Sequence, residues 1–242
     1  MKVLELFAGT RSIGKAFERK GHEVFSVEWD KKHTDIDLYE DIGRLQPSTI
    51  LDMFGKPDIV WASPDCTSYS VMAISHHRDG VRPKTEYAKF CDGVNQHFLW
   101  LIKKLNPKYY FIENPAGMLQ HMPWLKDFLG ETNGKKHLIT YCKYSDEWTD
   151  DEGVVHKPRQ KRTHIFTNHP NPSFIPPCKN GDTCHEAAPR GSKTGTQGMK
   201  GSVERSRIPD RLCDHIVSIC ENVPAVKGIR QQEFSFTQQN KS

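Results

Sequence analysis

Apolar positions along the chain fall into short continuous runs, with stretches of helical spacing between them. Lys2 to Phe7 is one such run; it ends in Ala8-Gly9 and is followed from Ser12 to Lys20 by Ile13, Ala16 and Phe17 at helical spacing, closed by Gly21. A second run, Val24 to Val27, stops at Glu28-Trp29-Asp30, so the opening thirty residues predict a βαβ unit. The pattern repeats with a buried strand over Asp58 to Ser63, a helix over Glu86 to Leu105 halted by Asn106-Pro107, and another strand over Tyr109 to Glu113. His137 to Cys142 and Thr163 to Thr167 are further strands on either side of the acidic segment SDEWTDDEG. Continuous apolar strands alternating with helices predict an α/β fold with a mostly parallel sheet covered on both faces. From Asn168 the sequence turns to Pro, Gly, Ser, Thr and Lys, and helical spacing returns at Ile208 to Cys220, with Pro209 in its first turn. The expected organisation is a core over 1–168, a small loop-rich insertion over 169–203, a closing helix within 204–230 and a flexible tail over 231–242.

Composition narrows the class. With 242 residues, 36% hydrophobic and 26% charged, the chain is that of an ordinary globular protein. No run approaches the roughly 18 apolar residues of a membrane helix, and MKVLELFAGT lacks the pattern of an export signal, so a soluble cytoplasmic protein with no membrane partner is expected. A net charge of +4 permits polyanion binding only where basic residues cluster. The seven cysteines are odd in number and irregularly spaced, which argues against a disulfide framework. Each thiol is then core filler, metal ligand or nucleophile.

In an open parallel sheet, ligands gather beyond the carboxyl ends of the strands. FAG at 7–9, EWD at 28–30, SPDC at 63–66 and ENP at 113–115 stand there. Taken singly, Gly9 needs only a tight turn, Glu28 could be a solvated strand end and Cys66 a small buried hydrophobe. Together, Glu28 follows Gly9 by 19 residues, near the offset at which a carboxylate meets ribose hydroxyls. The chain has neither GxGxxG nor a Walker Lys-Ser/Thr, so an adenosine cofactor without phosphates fits best, such as S-adenosylmethionine. Trp29 would give it an apolar wall and Asp41-Ile42 a carboxylate for the adenine amino group.

LELFAGTRSIG (4–14), VEWD (27–30), DI (41–42), SPDCTSYS (63–70), ENP (113–115) and RQKRTHIFTN (159–168), in that order, resemble the DNA cytosine-5 methyltransferase family over nearly the whole chain. PRGSKTGTQG (189–198) and ERSRIPDRLCDHI (204–216) look most like its short, phage-type members. The resemblance implies a Rossmann-like fold and S-adenosylmethionine bound by Phe7, Ala8, Gly9, Thr10, Glu28, Trp29, Asp41, Ile42 and Pro64. It implies methyl transfer to C5 of a flipped-out cytosine in double-stranded DNA, with Cys66 adding to C6. By the same resemblance Glu113, carrying a proton, meets N3 and the 4-amino group, Arg162 and His164 hold the base and its O2 edge, and Gln160 supports the turn. That chemistry calls for no metal. Residues 68–84 resemble the family's mobile loop, in which Ser68, Arg78 and Arg82 would face DNA; Arg159, Lys161, Arg190 and Lys193 would track phosphates. RNA (tRNA) methylation on the same scaffold and a catalytically silent DNA-binding member are the rival readings.

The chain departs from the family in three places. Thr10-Arg11-Ser12 stand where two glycines are usual, and Arg11 and Ser12 would either crowd the methionine end or bind its carboxylate. Asp65 replaces proline before Cys66 and would raise the thiol's pKa unless it points away, which is the expectation. His164 stands for a second arginine. Only 36 residues lie between Asn168 and Arg205, so sequence specificity should be low or the site very short. In that insertion Cys178, Cys184 and His185 could bind zinc, with Cys142 reaching them through the sheet, but the irregular spacing favours reduced, unpaired thiols.

Overall fold

The apolar runs assemble into one seven-stranded sheet in the computed structural model, which describes residues 1–149, 153, 155–158, 160–179, 181–186 and 206–221. The strands are β1 (Lys2–Leu6), β2 (Glu23–Glu28), β3 (Leu38–Tyr39), β4 (Ile59–Ala62), β5 (Tyr109–Pro115), β6 (Lys135–Thr140) and β7 (Arg162–Thr167), in the order β3-β2-β1-β4-β5-β7-β6. From β3 to β5 all neighbours run parallel. β7 runs antiparallel to both β5 and β6, so the sheet is mostly parallel, with one inverted strand in its second half. The chain leaves β1 toward β2 on one side and resumes at β4 on the other. The crevice between β1 and β4 is therefore the switch point where such sheets bind ligands.

Five helices cover the sheet: α1 (Ser12–Arg19), α2 (Pro47–Met53), α3 (Glu86–Leu105), α4 (Pro123–Glu131) and α5 (Asp210–Cys220). Strand alternation sends Val3, Trp61, Phe111 and Ile165 to one face, where Ile13 and Phe17 of α1 and Leu212 and Ile216 of α5 bury them. Leu4, Leu6, Val60, Ile112 and Phe166 point to the other face, against Ile50 of α2, Phe98 and Leu101 of α3 and Phe128 of α4. Each such side chain, fully buried, contributes about 1.5–3 kcal/mol. α5 docks on α1 and the turn that follows it through Arg19–Asp214 at 3.0 Å and His22–Glu221 at 2.8 Å.

The long helix has its expected bounds because its ends are locally encoded: Thr85 Oγ1 accepts from the Ala88 amide at 3.2 Å, and Asn106 takes a left-handed φ of 46° before Pro107. α2 and α4 escaped the sequence reading. Each is short and starts with a proline, a signal that also fits a turn. Tyr141 and Cys142, expected as the end of a strand, belong to a 3₁₀ turn over Tyr141–Lys143. Among the described residues of 168–186 no helix forms; the segment lies against β6 and its turn, where Tyr144 Oη accepts from the Ile175 amide and Thr140 Oγ1 from the Cys178 amide, at 2.8 and 3.0 Å. Residues 187–205 of the insertion and the tail from 222 lie outside the described residues. No helix among the described residues is long and apolar enough to cross a membrane.

Candidate functional site

The turn after β1 places left-handed backbone at Phe7, Gly9 and Arg11, with φ of 55°, 50° and 56°. This alternation curls the chain so that the Gly9 amide donates to Glu28 Oε2 at 3.0 Å, while Glu28 Oε1 accepts from the Trp29 and Asp30 amides at 2.9 and 3.0 Å. Three backbone donors fix this buried carboxylate at the switch point. A Cβ on Gly9 would meet nothing nearer than 4.0 Å, so the turn opens onto unfilled space. Beside it the Trp29 indole is 71% exposed, a large apolar face with no protein packed over it. Phe7 turns inward onto Phe98, and Ala8 and Ile42 are buried. Thr10 Oγ1 lies 2.9 Å from Ser12 Oγ, and Asp41 Oδ1 accepts from the Gly43 amide at 2.9 Å. Arg11 adopts neither expected role: its guanidinium is ion-paired with Glu18 on α1 and with Asp35, the latter at 2.7 Å.

Deeper in the same turn Glu5 is buried against the first residues of α1, where Gly14 leaves room for its carboxylate; a Cβ there would lie 2.4 Å from Glu5 Oε2. Burial raises the Glu5 pKa from 4.5 to about 7, opposed by the amides of Gly14 and Ile13.

The nucleophile candidate sits on the loop after β4. Cys66 is half-buried, and its thiol is pushed up to about 11 by burial, then by the negative charges of Glu113 and Asp65, with Lys161 opposing them. Asp65 does turn away, toward the Thr67 amide at 2.7 Å, yet its charge still reaches the sulfur. Asn114 Nδ2 donates to the Pro64 carbonyl at 3.0 Å and so joins the ENP and SPDC segments. Met118 N donates to the Tyr69 carbonyl at 2.8 Å, and the chains approach so closely that a Cβ on Gly117 would fall 2.3 Å from that oxygen.

Glu113 is buried at the end of β5. Tyr141 Oη donates to its Oε1 at 2.8 Å, and Lys161 Nζ lies 3.7 Å from the same oxygen. Lys161 also stands over the Tyr141 ring, 4.5 Å from its centre. Burial and the neighbouring carboxylate push the Tyr141 hydroxyl well above its ordinary value, so it keeps the proton it donates to Glu113. The partners of Glu113 are thus a hydroxyl donor and an ammonium.

Register decides which residues accompany Glu113. It faces Ile165 on β7, whereas His164 faces Asn114. Side chains alternate along a strand, so Arg162 and His164 project from the opposite face to Glu113, and Lys161, just before the strand, stands on its side. Lys161 and Tyr141 therefore stand beside Glu113, and Arg162 and His164 lie on the opposite face of β7. Lys161, expected on phosphates, is interior. The signal that could have found it was the odd and even spacing around Ile165, usable only with the register known.

Arg162 and His164 line a separate cavity of about 530 Å³ with Val71, Ile74, His121 and Lys136. Burial, then Lys136 and Arg162, lower the His164 pKa to about 4, so it is a neutral imidazole near pH 7.

Ser68 and Arg78 are also buried, not turned to solvent. Arg78 Nη2 pairs with Asp92 Oδ1 of α3 at 2.6 Å, its Nε donates to the Ser68 carbonyl at 2.8 Å, and its guanidinium stacks on Tyr69 at 4.2 Å. Tyr69 Oη in turn donates to Asp92 at 2.6 Å and accepts from Asn95 at 2.8 Å. The loop read as mobile is thus clamped to α3 at residues 68–69 and 78. Arg82 is on the surface, paired with Asp79 at 2.9 Å, and Arg159, Arg190 and Lys193 lie outside the described residues.

Residues 1–133 match the model of the C-5 cytosine-specific DNA methylase family. The probable DNA (cytosine-5)-methyltransferase of Frog virus 3 (isolate Goorha) is 27% identical over 238 residues, covering 91% of this chain and 100% of that protein. An E. coli structure provisionally described as a DNA modification methyltransferase encoded within a prophage matches with a TM-score of 0.51 and 16% identity, over 69% of this chain and 46% of that one. The chain spans less than half of that structure, and the likeness is one of fold. The relative is viral, and the phage label rests on the sequence motifs alone.

Proposed function

Since the chain belongs to the C-5 cytosine-specific DNA methylase family, we propose that it transfers a methyl group from S-adenosylmethionine to C5 of a cytosine in DNA, with Cys66 as the nucleophile. The observation that carries the reading is the meeting of Cys66, Glu113 and Lys161 at the adjoining carboxyl ends of β4 and β5.

The residues present fit the cofactor. The open side of Gly9, the fixed Glu28 carboxylate, the bare face of Trp29 and the carboxylate of Asp41 form a cradle suited to a nucleoside, with Phe7, Ala8, Thr10, Ile42 and Pro64 shaping its walls. When bound there, S-adenosylmethionine supplies an electrophilic methyl group. Cys66 Sγ gives up its proton to solvent and bonds to C6 of the cytosine, and the electron pair of the C5–C6 double bond moves onto C5, which makes that carbon nucleophilic. Glu113 takes the 4-amino and N3 edge, while Lys161 offsets the charge gathering there and Tyr141 holds the carboxylate in place. Once C5 carries the methyl group, loss of its proton to solvent water expels Cys66 as thiolate and restores the aromatic ring. A thiol near 11 is mostly protonated at neutral pH, so attack should quicken as pH rises.

C6 is inaccessible inside a duplex, so the base must leave the stack. The cavity lined by Arg162, Lys136, His121 and the exposed Val71 opens beside ENP and suits the flanking sugar-phosphate chain, which gives Arg162 and His164 a place in substrate binding.

The test is covalent trapping on DNA carrying 5-fluorocytosine with S-adenosylmethionine present. The wild-type chain should form a denaturant-stable adduct and Cys66→Ser none. No wild-type adduct on DNA overturns the proposal; an adduct on the corresponding tRNA alone transfers the substrate to RNA.

A further inference from the structure

A second cluster lies outside the methyl-transfer machinery, where the insertion folds back onto the sheet. Cys142 in the turn after β6, Cys178, Cys184 and His185 present Sγ, Sγ, Sγ and Nδ1 within 4.8 Å of one another. The sulfurs of Cys142 and Cys178 are 3.4 Å apart and those of Cys184 and Cys142 3.8 Å; His185 Nδ1 lies 3.7 Å from Cys178 and 3.6 Å from Cys184. A disulfide would hold two sulfurs at about 2.05 Å, so none of these pairs is bonded. A tetrahedral zinc ion with Zn–S of about 2.3 Å and Zn–N of about 2.0–2.1 Å sets sulfur–sulfur edges near 3.8 Å and sulfur–nitrogen edges near 3.6 Å. These four spacings fit ligands disposed around such an ion, and the two remaining pairs lie within 4.8 Å.

We propose that Cys142, Cys178, Cys184 and His185 form a structural Cys₃His zinc site that fastens the insertion to the catalytic sheet. Three thiols lose their protons to solvent as the ion binds, leaving three thiolates, one neutral imidazole and a net charge of −1 on the centre. Outer partners suit that charge. Gln160 Nε2 donates to Cys178 Sγ at 3.0 Å, and Lys143, paired with Asp182 at 3.6 Å, is within electrostatic reach of Cys184. Four protein ligands leave no open position, so the ion is a staple and not a reaction centre.

The segment needs one. Among the described residues of 168–186 there is no helix, and only His169, Pro172 and Cys178 are buried, with Phe174 packed against the core. A fragment this small gains little from apolar burial, and metal ligation replaces the missing core. The sequence reading favoured free thiols because the ligands do not form two local pairs; Cys142 comes from 36 residues upstream, and only the end of β6 brings it in. The site also borders the groups around Glu113. Tyr141 precedes a ligand, its amide donates to the Lys161 carbonyl at 3.0 Å, and Gln160, bonded to Cys178, precedes Lys161.

The test uses the full chain, purified under reducing conditions without chelator. Elemental analysis should find about one zinc per chain. Exchange for Co²⁺ should give the intense d–d bands of a tetrahedral ion and a thiolate-to-cobalt charge-transfer band sized for three sulfurs. Cys184→Ser and His185→Ala, both at half-exposed positions, should each weaken zinc retention against a competing chelator by at least about tenfold. The cobalt spectrum of the unaltered chain needs no variant to fold. A wild-type chain that takes up neither zinc nor cobalt overturns the site, as does an octahedral cobalt spectrum or a Cys142–Cys178 disulfide in freshly reduced and repurified protein.

Discussion

The two halves of the sheet use their strand ends differently. From β3 to β4 all strands run one way and each functional group follows its strand directly: the Gly9 turn after β1, Glu28 at the end of β2, Cys66 after β4. From β5 to β6 one strand is inverted, and Glu113 is completed by residues from the start of β7 and from the turn after β6. In the first half, position along the chain is enough to locate a contact. In the second, a shift of one residue along β7 exchanges the faces on which side chains stand, so chemistry depends on cross-strand register.

The difference can be tested first at the clamp that carries Cys66. Arg78→Met removes one partner of a buried pair and strands Asp92, so chemical denaturation should show a loss of about 3–5 kcal/mol, with Cys66 becoming more reactive as its loop loosens. A loss below about 1 kcal/mol would reduce Arg78 to an ordinary surface pair.

Next comes the face assignment. Lys161→Met should lower methyl transfer by roughly 10²–10³-fold and move Cys66 alkylation to higher pH, because it removes the positive charge acting on the thiol. His164→Ala should cost no more than about tenfold and leave the alkylation profile in place. Reversed magnitudes would restore Arg162 and His164 as the partners of Glu113.

The first half makes a prediction of its own. Glu5 has a folded pKa raised from 4.5 to about 7 by burial, so the fold prefers its neutral form. Its stabilising effect is complete below about pH 4.5, declines as pH rises toward 7 and is absent above that. Glu5→Gln keeps the neutral shape, and at pH 8 it should be more stable than wild type by up to ~3 kcal/mol, with the gain fading below pH 5. Thermal unfolding across that range checks the sign.

Much of the first half was legible in the sequence. A strand of four to six apolar residues, a glycine that tolerates φ of 50° and a carboxylate one βαβ step later are local features, and the structure brings Gly9 and Glu28 within one hydrogen bond. The bounds of α3 were legible for the same reason, since Thr85 and Asn106 mark its ends. Lys161 and Tyr141 were not, because their roles arise from pairing across β5, β7 and β6 and no local pattern states which face a residue will take. Ser68 and Arg78 were misplaced for a related reason: polar residues in a loop read as surface until Asp92, far along α3, supplies the counter-charge that lets them be buried. The cysteine and histidine cluster was hidden by distance along the chain.

The close approach at Gly117 bears on how a nucleotide enters. The backbone after ENP rests on the Tyr69 carbonyl with no space for even a methyl group, and Arg78 grips the same loop from the far side. Cys66, the proposed nucleophile, therefore stands on a loop held at Tyr69 by Gly117 and at Ser68 by Arg78. If the chain acts on DNA as proposed, the distortion that brings out the base falls mostly on the strand, and easily deformed sequences should be processed fastest.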